Sequence, residues 1–97
     1  MLSGEEKDTT AFFSALATDA KNLMEKALTD EIKEECCKVY NTIRSSAILG
    51  LETSTAQVNN IKISFSVFAY SVKYSSIEDI KTAADDLISL LAPKKSL

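Results

Sequence analysis

Residues 59–76 read NNIKISFSVFAYSVKYSS, and the period chosen for them decides the fold. The stretch carries two of the four phenylalanines, Phe65 and Phe68, two of the three tyrosines, Tyr70 and Tyr74, and no acid. Taken with period two, Ile61, Ile63, Phe65 and Val67 alternate with Lys62, Ser64 and Ser66. After one phase shift Phe68, Tyr70, Val72 and Tyr74 alternate with Ala69, Ser71 and Lys73. That is a strand with a single bulge, rich in the β-branched and aromatic residues that strands favour. Taken with helical period, Val58, Ile61, Phe65, Phe68 and Val72 form one apolar seam. Ile63, Val67, Tyr70 and Tyr74 then form a second seam on roughly the opposite side.

The neighbouring sequence favours the helix. A strand at 59–76 needs a partner, and the only candidate is 48–58, joined through Asn59 and Asn60. That segment contains Gly50, alternates poorly, and holds Ser54 followed three residues later by Gln57, the pattern of a helix-opening capping box. Asn-Asn is also a weaker hairpin turn than Asn-Gly. The sequence therefore predicts an all-α fold, an antiparallel four-helix bundle, as one chain or as a dimer. The alternative is an α+β fold with a hairpin or dimer-shared strand around 48–74.

Outward from this stretch the helices are easier to place. Toward the N-terminus, Phe12, Phe13, Leu16, Ala17, Ala20, Leu23, Met24, Ala27 and Leu28 recur at three- and four-residue spacing and predict a helix over 9–28. Asp8, Thr9 or Thr10 would cap it, with Ser3 and Glu6 as an earlier capping box. Asp30 is the expected cap of a second helix over 31–50, whose apolar stripe is Ile32, Cys36, Val39, Tyr40, Ile43 and Ala47. Glu31, Glu34 and Glu35 sit where the helix dipole favours negative charge, and Glu34 is spaced to pair with Lys38. Gly50 is a natural stop. The third helix spans 55–74. Ser75 with Glu78, and Ser76 with Asp79, open a fourth over 77–92 whose core face is Ile77, Ile80, Ala83, Ala84, Leu87, Ile88, Leu91 and Ala92. Pro93 stops it and 93–97 is read as a frayed tail. Breaks near residues 30, 54 and 76 leave segments of about twenty residues, which suits a bundle of one domain.

Composition narrows the chemistry. The chain has 97 residues, 45% of them hydrophobic, with only two glycines and one proline, which disfavours a many-stranded fold. With 14 acids against 11 bases it gains nothing from phosphate neutralisation, so nucleic acid is not an expected partner. The absence of histidine removes the commonest general base and metal ligand together. The charge-free run 63–72 is well short of the roughly 20 residues a membrane span needs. The N-terminal residues MLSGEEKDTT carry acids where a secretory signal would be basic and then apolar. Two adjacent cysteines do not form a disulfide framework, so the expected setting is soluble and cytoplasmic, without membrane association.

Three function classes remain. Neighbouring helix residues point about 100° apart, so Cys36 and Cys37 do not grip one metal easily; Cys36 reads as a small core residue and Cys37 as a possible reactive thiol at the stripe's edge. Together they are the basis of a redox- or metal-sensor reading. The adjacent acids Glu34-Glu35, Glu78-Asp79 and Asp85-Asp86 would support a small enzyme only if they converged in a desolvated pocket. No cofactor is implied, no catalytic residue stands out and no phosphate-cradling glycine loop is present. The second seam supports the leading reading, a non-enzymatic protein-interaction module such as an adaptor, inhibitor, immunity or assembly subunit. In it Ile63, Val67, Tyr70 and Tyr74 face a protein partner or a second copy of the chain, since tyrosine combines an apolar body with a polar tip.

In outline, a short chain with two helical halves about a central glycine resembles the small WXG-type secretion partners. Ile48, Leu49 and Gly50 stand where their Trp-x-Gly turn would be. The stretch from Tyr74 to Glu78 lies too far from the C-terminus to match their tyrosine–acid tail signal, so no residue role is carried over.

Overall fold

The structure, a computed structural model, describes residues 4–49 and 54–91. It is an all-α bundle of four helices: α1 (Gly4–Glu25), α2 (Asp30–Leu49), α3 (Thr55–Tyr74) and α4 (Ile77–Leu91). Among the described residues there is no strand, so the period of 3.6 holds through the stretch that decides the fold.

Several of the helix ends have an identifiable cause. The first helix begins at Gly4, earlier than residue 9, because nothing in EEKDTT stops a helix; Asp8, Thr9 and Thr10 lie inside it and are not its caps. Ser3 lies outside the described residues. The same helix ends at Glu25, short of residue 28. The Lys26 amide is shared between the Asn22 and Leu23 carbonyls (3.2 and 3.1 Å), and the Ala27 amide donates to Met24 (3.3 Å), tightening the last turn. Leu28, expected in the core stripe, consequently falls in the connection and is 87% exposed.

The second helix is capped by Thr29, not Asp30: the Ile32 amide donates to Thr29 Oγ1 at 3.2 Å, which makes Asp30 the first helical residue. Ser54 caps α3 as its sequence predicts, its hydroxyl accepting from the Gln57 amide at 3.2 Å. The Gln57 side chain does not complete the capping box. It donates to the Leu90 carbonyl at 3.0 Å, satisfying one of the orphan acceptors in the last turn of α4. Ser75 closes α3 through its amide to Ser71, and Ser76 opens α4 by accepting from the Asp79 amide at 3.4 Å. Gly50 and the tail 93–97 lie outside the described residues.

The packing order differs from the chain order. The second helix packs along α1 and α4, and α4 in turn packs along α3. Ser46 at the end of α2, itself buried, donates from Oγ to the Leu91 carbonyl at 3.3 Å, so α2 and α4 finish side by side. One core joins all four helices. Phe13, Leu16, Ala20 and Leu23 come from α1, Ile32, Cys36, Val39 and Ile43 from α2, and Ile61, Phe65, Phe68 and Val72 from α3. The fourth helix adds Ile80, Ala83, Ala84, Leu87 and Leu91. The expected ion pair of Glu34 with Lys38 is replaced by Glu35 with Lys38 at 3.3 Å, one residue closer in sequence. Glu35 lies against the protein, with its carboxylate near the exposed Lys38 ammonium, while Glu34 points to solvent.

Candidate interaction surface

The third helix is apolar on two sides, and the bundle uses only one of them. Ile61, Phe65, Phe68 and Val72 are buried, with Phe65 and Phe68 tilted against each other at 6.1 Å between ring centroids. Roughly half a turn away around the helix axis stand Ile63, Val67, Tyr70 and Tyr74, at 64%, 53%, 63% and 71% exposure. The four residues that the sequence groups into a second seam are thus on one outward face, and they are four of the six large hydrophobic side chains exposed among the described residues.

The face is an ordered row. Spacings of four, three and four residues keep the side chains nearly in line along the helix, the arrangement of a coiled-coil a/d seam. The Tyr70 and Tyr74 rings pack on each other at 4.8 Å between centroids. Beside the row, Lys62 and Lys73 are exposed and Ser66 returns its hydroxyl to the Lys62 carbonyl at 2.9 Å. The Lys62 ammonium lies 5.7 Å from the Phe12 ring centroid, an exposed cation–π contact that ties α3 to α1 at the flank. The helix carries two lysines and no acid, in a chain whose net charge is −3.

The other candidates separate cleanly. Cys36 is fully buried, and burial first, then its neighbours Glu35 and Cys37, push its thiol up from 9.0 to about 11. A thiol so placed is a poor nucleophile. Cys37 is half-buried at the stripe's edge, where Asn41 Nδ2 reaches its Sγ at 3.5 Å. Both cysteines are free, and no group of three His, Cys, Asp or Glu residues able to hold a metal occurs among the described residues. Glu34, Glu78, Asp79, Asp85 and Asp86 are all exposed; Glu35 alone among the paired acids is buried.

A shallow groove of about 590 Å³ runs between α1 and α2, bordered by Lys21, Glu25, Tyr40, Arg44 and Ile48. Its charges are of both signs, and the only arginine in the chain, Arg44, is exposed there. Leu28 and Ile48, at 87% and 74% exposure, were not legible as surface residues: Leu28 keeps the helical spacing of α1, and only the early end of the helix turns it out. No described helix is long and apolar enough to cross a membrane. No protein-family model matches the chain, and neither a curated protein nor a solved structure matches it significantly.

Proposed function

We propose that this chain is a non-enzymatic protein-interaction module, an adaptor, inhibitor, immunity or assembly subunit, that binds another polypeptide through the outer face of α3. The observation that carries the reading is the exposure of Ile63, Val67, Tyr70 and Tyr74 in one straight row, on a helix whose opposite side is already core. Aromatic and β-branched residues in a continuous patch are costly to leave in water, and patches of this kind mark contact sites. Tyrosines are well suited to such a site because two torsions fix a large area, so little side-chain entropy is lost on docking. The sensor and carboxylate-enzyme readings have less behind them: one thiol is sealed in the core and the paired acids other than Glu35 are exposed to solvent. The two free, adjacent cysteines support a reducing, cytoplasmic setting.

Amine-reactive cross-linking in cell extract tests the reading at residue level, because Lys62 and Lys73 flank the row. Intermolecular cross-links should concentrate on these two lysines and be lost in Val67→Glu. An even spread over all exposed lysines, unchanged by Val67→Glu, contradicts it.

A further inference from the structure

Resting on that reading, we infer that the occupant of the α3 face is a second copy of this chain, docked antiparallel about a two-fold axis that passes between Phe68 and Ala69. The spacing of the row is the same in both directions, four, three, four, so reversing the helix superposes the row on itself. Its chemistry is not the same at both ends: Ile63 and Val67 are branched aliphatics, Tyr70 and Tyr74 are aromatic. Antiparallel docking therefore sets Tyr74 opposite Ile63 of the second copy and Tyr70 opposite Val67, large against small twice over. Both directions are two-fold, and the antiparallel one pairs a large side chain with a smaller one at each level. Parallel docking would set tyrosine against tyrosine and isoleucine against isoleucine at the same levels, wide at one end and narrow at the other.

Charge does not select this arrangement. The axis brings Lys73 level with Ser64 of the second copy and Lys62 level with Ser75, and because it keeps the two lysine-bearing flanks on one side of the pair, Lys62 stands about 3 Å along the helix axis from Lys73 of the second copy. In the parallel arrangement each lysine lies level with its own counterpart but on the opposite side of the pair.

The area suits a weak dimer. Four side chains exposed to this extent, two of them tyrosines, offer roughly 500 Å² per chain, so they contribute at most about 1,000 Å² to a pair, in the range of weak, transient interfaces. Such a dimer forms at high concentration and dissociates on dilution.

Disulfide trapping by mixing tests the occupant and its direction together. Two variants, Ile63→Cys and Tyr74→Cys, are made in a Cys37→Ser background; both positions are exposed, and circular dichroism verifies that each variant remains helical. The proposal expects that neither forms a covalent dimer alone and that the mixture does, with a several-fold excess of the mixed species. Covalent dimers from each variant alone would overturn the antiparallel arrangement. A wild-type chain that stays monomeric by sedimentation at about 100 µM overturns the second copy as occupant. Extract cross-links from Lys62 and Lys73 to a different protein would then leave the interaction module standing with another partner. Monomeric behaviour with no such cross-links removes both.

Discussion

The rings of Tyr70 and Tyr74 pack on each other at 4.8 Å between centroids while both side chains remain mostly in solvent, at 63% and 71% exposure. The i,i+4 spacing that brings them together also sets them outside the core formed by Phe65, Phe68 and Val72. Packing on each other preorganises the two rings as one apolar ledge without enclosing them. Replacing either with serine should therefore alter folding stability by no more than about 0.5 kcal/mol, as for surface sites generally. Urea unfolding at a concentration low enough to keep the chain monomeric checks this; a loss of several kcal/mol would mean that the tyrosines support the bundle itself.

The opposite side of the same helix should behave differently. Phe68 is fully buried where α3 meets the rest of the bundle, so Phe68→Ala leaves a cavity and should cost about 3–5 kcal/mol. Comparing its unfolding midpoint with that of Tyr70→Ser, two residues along the chain, gives the two-sidedness of α3 directly.

Thr29 holds the start of α2 through the Ile32 amide, and Thr29→Ala should cost about 1 kcal/mol, whereas Asp30→Ala should cost less because Asp30 acts only through the helix dipole. Thermal unfolding of the two variants ranks them; a larger loss for Asp30→Ala would return the cap to Asp30.

The two cysteines should differ in both reactivity and titration. A thiol reagent should modify Cys37 quickly in the folded protein and reach Cys36 only on unfolding, since Cys36 is wholly enclosed. The Cys36 thiol stays protonated up to about pH 11 in the fold, while the unfolded chain loses that proton near 9.0. Between those values the unfolded state binds fewer protons than the native one, so this residue's contribution is intact below about pH 9 and is lost as pH rises toward 11, on the order of 2–3 kcal/mol in all. Chemical denaturation across that range, wild type against Cys36→Ala, should show a shallower decline in the variant; equal slopes would remove Cys36 as a cause.

Much of this was legible in the sequence, for a physical reason. Helix periodicity is written by burial, and the stripes from Phe13 to Leu23, Ile32 to Ile43 and Ile80 to Leu91 are the ones that the core buries. Residues 59–76 resisted a single reading because they are apolar on two sides, and two apolar seams produce an alternation that imitates a strand. The same excess marked Ile63, Val67, Tyr70 and Tyr74 as more than the core needs, and they are exposed.

What was not legible depends on choices between near-equal local partners. Thr29 and Asp30 are both good caps, and Glu34 and Glu35 both lie within reach of Lys38; the backbone phase selects one of each pair. The adjacency of α2 and α4, sealed by Ser46 and Leu91, has no signature in either segment, because a stripe states that a face is buried and not against what.

Sedimentation equilibrium of the wild-type chain and of Val67→Glu, each from about 1 to 100 µM, tests the central claim most directly. The α3 face as an interface between two copies predicts that the wild-type mass rises from one chain toward two across this range, while Val67→Glu, with a carboxylate beside the axis, remains at one with unchanged helix content. A wild type that stays at one chain throughout, or a Val67→Glu variant that associates equally well, would contradict it.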